Sequence, residues 1–580
     1  MTENCRRGYR QRRDGLRAAG MVPLLCAVMI VMTGNIVSAG TYMSTKHGSE
    51  ADRRVMDADF PYTTKGLCAH CHEQHASIDG QEPFPPAAEG ATSYTLFRSN
   101  FGSSKNELCF ACHELFSLSG MPLGYGRYGI YQGKTKYNSS IHKTDSGMVW
   151  NPDPSPPGPP FSASSTLTDA GNCHNCHNPH GYDDGSGLIP QMLFARDSKD
   201  TDIPAYEMGC EACHDGTQGG AGKDVKTQLN KAYAHPAHDY NDRHVIPETG
   251  ASEGGSSFGN PPTYDKRHAE CVDCHNPHTV VSGTTHTAAT DGNAVSDVLK
   301  YVWGVEPSWP AIWTQPTSLT VRKPPTYSDG AQYEYQICFK CHSYYGLGTL
   351  TNAVSTITGP SGALITDQAW EFNRNNKSAH PVVVSLNNQS GSTAPKALLS
   401  GQMSSPWTAV GTQTMYCSDC HGANDETTTG AQGPHGSTRK FMLKGTSSKP
   451  NAQYWPTKSD GVTLWTLSDL GGATAGTDLF CVNCHPNSRN NNNVHQEGGH
   501  RGDGPISTLF CVECHSAVPH GSKRSRLIGY SSDPSPYDLN NNTLRITGYK
   551  KAAGPSSYGT GNCQSSCYAD HTGAVSGAEP

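Results

Sequence analysis

Nine copies of Cys-x-x-Cys-His run through this 580-residue chain and take 18 of its 22 cysteines. They are Cys68, Cys71 and His72; Cys109, Cys112 and His113; Cys173, Cys176 and His177; Cys210, Cys213 and His214; Cys271, Cys274 and His275; Cys338, Cys341 and His342; Cys417, Cys420 and His421; Cys481, Cys484 and His485; and Cys511, Cys514 and His515. Two thiols at this spacing, followed at once by an imidazole, form the attachment signal for c-type haem. The thiols add to the haem vinyl groups, and the histidine is placed to reach the iron as the proximal axial ligand. Zinc sites and redox dithiols also use Cys-x-x-Cys, but neither needs a histidine after every second cysteine. A disulfide framework would not fix that spacing and that histidine nine times. Nine covalently bound haems c are therefore the expected cofactors.

The chain has 27 histidines, 18 of them outside the proximal positions. Nine six-coordinate irons would need nine of those. After a lone first motif, the other eight fall into four pairs with one grammar: a motif, an intervening His, a second motif, and a trailing His. This nominates His142 and His180, His235 and His278, His380 and His435, and His500 and His520, with His75 for the lone motif. Local sequence supports the register: Ala234-His235-Pro236 matches Ala379-His380-Pro381, Asn178-Pro179-His180 matches Asn276-Pro277-His278, and Pro434-His435-Gly436 matches Pro519-His520-Gly521. Proline narrows the backbone beside each of these histidines and limits where the imidazole points. His495 competes with His500, and His238 and His244 compete with His235. His70 and His174 lie inside motifs; His47, His268, His286 and His571 are spare. Sequence does not say which distal histidine serves which motif. Imidazole on both faces leaves an iron no open position, so it carries one electron and binds no substrate. No catalytic residue is nominated.

The elements that hold these groups must be short. The chain is 35% hydrophobic with 62 glycines and 39 prolines, and its mean hydropathy is −0.58. Charged residues make only 16%, so the chain lacks the highly charged composition of a disordered one. Covalently held porphyrins would supply the missing apolar core, and the haem-free chain is expected to be largely unfolded. The motifs, as in Leu108-Cys109-Phe110 and Phe510-Cys511-Val512, read as one or two helical turns ending at the ligand. The cysteine-free stretches 276–337 and 343–416 carry Trp303, Trp309, Trp313, Trp370 and Trp407 and β-type runs such as Val382-Val383-Val384. The expected fold is mostly irregular and loop-rich, with short α-helices and a few small β-hairpins, elongated around a stacked chain of haems. The repeat implies an array in which each unit touches mainly its neighbours.

The boundaries follow: a signal peptide at 1–39, an N-terminal segment with the lone motif at 40–105, and two-haem units at 106–205, 206–300, 301–445 and 446–525. A C-terminal extension at 526–580 contains Cys563 and Cys567. There Gly561-Asn562-Cys563 repeats Gly171-Asn172-Cys173, but three residues separate the cysteines and Tyr568 stands where the ligand would be. A Cys563–Cys567 disulfide is the main expectation in an oxidising compartment; an altered haem site, a metal or free thiols are the alternatives. At the N-terminus a basic stretch through Arg17, an apolar core from Met21 to Met32 and Val37-Ser38-Ala39 read as an export signal. The apolar core is short for a membrane span. The net charge of −7 argues against nucleic acid as a partner.

On these motifs and spare histidines, residues 68–520 resemble the multihaem c-type cytochromes, especially the exported ones of metal-respiring bacteria. The resemblance implies close-packed haems along which electrons hop, in the periplasm or at the cell surface. It implies partners among other cytochromes or redox proteins, extracellular metal or mineral acceptors, and further copies of the chain in filaments. The expected function is electron transfer without catalysis. The alternative is a reductase of a small nitrogen or sulfur oxyanion, which would need one open iron.

Overall fold

The computed structural model describes residues 106, 109, 133–144, 173, 176–177, 210–211, 214–216, 223–237, 269–281, 293–322, 330–359, 362–386, 400, 403–424, 431–444, 455, 463, 479–485, 511–539, 543–551, 561–566 and 571–580. The expected signal peptide at 1–39 and the first motif lie outside them. Among the described residues no helix is long and apolar enough to cross a membrane.

The motifs form single helical turns. Cys271–Cys274, Cys417–Cys420 and Cys511–Cys514 are helical, Glu334–Cys338 ends on its motif's first cysteine, and Phe480–Asn483 is a 3₁₀ turn. Residues three apart on a helix share a face, so this winding turns both thiols to one side. The longest described helix, Gly133–Ser139, has 7 residues.

Among the described residues, strands occur in five two-stranded antiparallel sheets. Three join nearby segments: Gly304–Pro307 with Leu319–Arg322, Val354–Thr358 with Leu364–Thr366, and Ile546–Tyr549 with Cys563–Ser565. The other two tie one unit to the next. Tyr233–Ala234 pairs with Gly436–Ser437, and Ser378–Ala379 pairs with Gly521–Ser522. Each joins the segment before a His-Pro to the segment after a Pro-His.

Side chains build more of a core in 301–445 than composition suggested. Trp303, Val305, Tyr335, Phe339, Phe372, Val382, Trp407 and Met415 form one buried cluster, against which Cys417, Cys420 and Cys484 pack. A smaller cluster of Ile528, Tyr530, Ile546 and Tyr549 packs on Cys514 and Cys563. Val382-Val383-Val384 is a turn, not a strand: Val382 N–H donates to the His380 carbonyl at 2.8 Å across Pro381, which cannot donate itself.

The C-terminal end docks on the last unit. The Glu579 carboxylate accepts from Ser525 N at 2.6 Å and Ser525 Oγ at 3.0 Å, and the Tyr530 hydroxyl donates to the Glu579 carbonyl at 2.7 Å. Cys563, one end of the expected bridge to Cys567, begins a strand rather than a helical turn. Cys567 itself lies outside the described residues.

Gly521 and Gly436 stand at close approaches of backbone. A Cβ on Gly521 would run into the Glu371 carbonyl, and one on Gly436 into the Gln228 carbonyl. Gly436 directly follows His435 and Gly521 directly follows His520, so a backbone shift at either would disturb its histidine. Gly521→Ala is expected to cost about 1–3 kcal/mol of stability, read as a lowered denaturation midpoint of the holoprotein. An unchanged midpoint would contradict the packing described.

Candidate functional site

Among the described residues, six motif turns close on their histidine. The backbone N–H of His177, His214, His275, His342, His421 and His485 donates to the carbonyl of the motif's first cysteine at 2.9–3.0 Å. His275 and His421 then turn extended, at φ −124° and −111°, which ends the helix and lifts the ring off it. The residue before the second cysteine caps the turn in two motifs. Asp273 accepts from Glu270 N at 2.8 Å, and Asp419 accepts from Tyr416 N at 2.7 Å. The carboxylate satisfies a donor that the helix start leaves open.

The non-motif histidines come together in twos. Three times, an intervening His of one unit lies beside the trailing His of the next. His142 Nδ1 donates to the Pro277 carbonyl at 2.7 Å, beside His278. His235 Nδ1 donates to the Pro434 carbonyl at 2.5 Å, beside His435, whose own carbonyl accepts from His235 N at 3.1 Å. His380 Nδ1 donates to the Pro519 carbonyl, and His380 N donates to the His520 carbonyl at 2.9 Å. The two-residue strands of the fold are the splints for the second and third of these modules.

Each member of a module faces a different motif histidine. His142 faces His214, with ring centroids 6.3 Å apart, and His278 faces His177 at 6.0 Å. His235 faces His342 at 6.5 Å, and His435 faces His275 at 6.0 Å. His380 faces His485 at 6.3 Å, and His520 faces His421 at 6.2 Å. Two imidazoles on opposite sides of one first-row metal, with bonds of about 2.0–2.1 Å and ring centres roughly 1.1 Å behind each nitrogen, would stand about 6.3 Å apart. All six pairs fall close to that separation, and all six join one motif histidine to one non-motif histidine. Ordinary aromatic contacts span a wider range and give no reason for that selectivity. The donor set and its spacing thus fit a metal held between two imidazoles.

The ring nitrogens are oriented for the same purpose. On the motif side, Nδ1 donates to a carbonyl further along: His275 to Val298 at 3.0 Å, His421 to Phe441 at 2.6 Å, His515 to Arg526 at 2.8 Å and His214 to Lys223 at 3.3 Å. The accepting carbonyls of Phe441 and Arg526 lie in tight turns with left-handed residues, φ 59° at Phe441 and 64° at Arg526. A proton fixed on Nδ1 leaves the Nε2 lone pair to a metal. Burial, opposed in part by these hydrogen bonds, lowers the pKa of His214, His235, His275, His380 and His515. Burial and neighbouring histidines push His421 down to about 4 and His435 to about 3. The rings are thus neutral, the form that ligates.

Cysteines of successive motifs also meet. The Cys109 and Cys173 thiols hydrogen-bond to each other, as do those of Cys338 and Cys417, and Cys420 lies near Cys484. Glu334, Cys338 and Cys417 have ligand atoms within 4.8 Å of one another, which raises a competing metal site. Both Glu334 oxygens already accept from Ser418, at 2.8 Å from N and 2.7 Å from Oγ. The Cys417 hydrogen bond and burial raise the Cys338 pKa, against the thiolate a metal centre needs. The cysteine contact is better read as two motif starts brought side by side.

Of the nominated residues, His142, His177, His214, His235, His275, His278, His342, His380, His421, His435, His485, His515 and His520 are described. His72, His75, His113, His180 and His500 lie outside the described residues, as do the rivals His238, His244 and His495. Spare His571 donates from Nδ1 to the Cys563 carbonyl at 3.0 Å. Sequence reasoning missed the carbonyls of Pro277, Pro434 and Pro519, although the recurring Pro-His marked them, and it missed Gln368 and Glu371. Comparison with protein-family models, curated proteins and solved structures gives no match to this chain.

Asp419→Ala removes the acceptor for Tyr416 N and is expected to cost about 0.5–2 kcal/mol, measured by denaturation of the holoprotein. No loss would show that the turn is held by its cofactor bonds alone.

Proposed function

We propose that this chain is an exported c-type cytochrome that binds nine haems and carries electrons along them between redox proteins or toward an extracellular acceptor, without catalysis. The observation that carries the reading is the set of six motif-to-module imidazole pairs at 6.0–6.5 Å. Haem c supplies one-electron iron chemistry when bound, with both vinyl edges tied to cysteine. The chain's own residues do the rest. The helical turn presents two thiols on one side, the proximal Nδ1 carbonyl aims the ring, and the module closes the opposite face. An iron held between such a pair of imidazoles would have no position for nitrite, hydroxylamine or a sulfur oxyanion, which disfavours the reductase alternative. Meeting cysteines at Cys109 and Cys173, at Cys338 and Cys417, and at Cys420 and Cys484 bring consecutive attachment edges near one another, as short electron hops require.

His435→Ala tests this directly. The variant is expected to keep nine haems, because thioethers and His275 remain, and to gain a high-spin electron paramagnetic resonance signal from one iron. The native protein is expected to be wholly low-spin. A variant spectrum identical to the native one would contradict the pairing, and a native high-spin signal would favour the reductase.

The three modules share one offset: the intervening His of a unit with the trailing His of the next. Carried one unit toward the N-terminus along the sequence, it nominates His47 and His180 for the irons of His113 and His72. On this assignment His180→Ala produces one high-spin iron and His75→Ala produces none. The opposite outcome would return the first iron to His75.

A further inference from the structure

The helix Gln368–Glu371 lies in the cysteine-free stretch 343–416 and touches ligands of two successive motifs. Its N-cap Asp367 accepts from Trp370 N at 3.0 Å. At its start, Gln368 N donates to the His342 carbonyl at 2.9 Å, and the Gln368 amide lies 3.4 Å from His342 Nδ1. At its end, Glu371 Oε2 accepts from His520 Nδ1 at 2.6 Å. The side chain of Glu371 is 0% exposed. Its other oxygen, Oε1, accepts from the Tyr537 hydroxyl at 2.6 Å. Burial and the Glu371 charge push the Tyr537 pKa well up, so the phenol keeps its proton and donates.

This contact is unlike those of the other ligands. His142, His214, His235, His275, His380 and His421 all give Nδ1–H to a neutral backbone carbonyl. In the preceding module His435 holds the place of His520, and its buried Nδ1 has no hydrogen-bond partner among the described residues. A carboxylate on Nδ1 draws the proton toward itself and makes the imidazole a stronger donor. A stronger donor favours ferric over ferrous iron, and the buried negative charge acts in the same direction. Gly521, next to His520, is the residue that lets the Glu371 carbonyl approach.

We infer that Glu371, held by Tyr537, is a positioning residue that lowers the reduction potential of the one haem ligated by His421 and His520, setting a step between it and the neighbouring haem at His342. The inference rests on the haem reading above. The helix then has two ends with different effects: a neutral amide at one haem's proximal ligand and a carboxylate at the next haem's distal ligand.

The test is a potentiometric titration of the holoprotein followed by electron paramagnetic resonance, with haem content measured by intact mass. Glu371→Gln keeps the shape and removes the charge, so the midpoint of one haem is expected to rise and its low-spin g values to change while the others stay. Tyr537→Phe takes a donor from the carboxylate and strengthens its pull on His520, so the same haem's midpoint is expected to fall. Opposite shifts support the inference, because a loss of packing alone would move both variants the same way. Shifts of the same sign, or a Glu371→Gln titration that superimposes on the native one, overturn it. If Glu371→Gln does not assemble, Tyr537→Phe decides: a fall supports, and no change or a rise overturns. A native protein without haem would instead overturn the reading on which the inference rests.

Discussion

A metal-sized gap between two imidazole rings can be held only if both rings are aimed, and in this chain hydrogen bonds at Nδ1 aim His142, His235, His380 and His520 on the module side and His214, His275, His421 and His515 on the motif side. The motif histidine is fixed by its own helical turn and by a carbonyl further along the sequence, as His421 is by Phe441. The opposing histidine is fixed by a partner from the next unit, as His235 is by Pro434. Proline serves this role well: it has no N–H to compete for, and it restrains the backbone on which the following histidine sits. Without those carbonyls a buried neutral imidazole would have to leave a donor unsatisfied, which costs about 1–3 kcal/mol.

The modules make the units interdependent. Each completes the second motif of one unit and the first motif of the next. His235 and His435 meet at one strand pair, and they serve His342 and His275 respectively. Within a unit, contact passes through the cysteines, as at Cys338 and Cys417. On the proposed reading, cofactor attachment and cofactor closure would alternate along the chain, and folding would follow metal-site assembly. The exception is 301–445, where Trp303, Tyr335, Phe339 and Trp407 give a side-chain core of their own. That unit also holds the helix that reaches two ligands with different chemistry.

The nine motifs, the helical turn and the six histidines of the three modules were legible in the sequence, because thiol spacing and flanking proline are local. The pairing was not. His142 and His214 are separated by a whole motif, and nothing in either neighbourhood names the other. Val382-Val383-Val384 misled because β-branched residues suit strands in general, whereas here Pro381 forces a turn and Val382 fills the aromatic cluster. Glu371 was invisible for a different reason: a single acidic residue in a long loop-like stretch has no pattern, and only the fold brings it to His520. In the tail, Gly561-Asn562-Cys563 repeats a motif start in sequence but leads into a strand paired with Ile546–Tyr549, because no second cysteine and histidine follow at the motif spacing.

All of this depends on a porphyrin standing in each gap. Intact mass spectrometry of the native protein, purified from a host that attaches haem to exported chains, addresses that most directly. The mass of the processed chain plus nine haems is the result that the proposed function predicts. The mass of the bare polypeptide would contradict it.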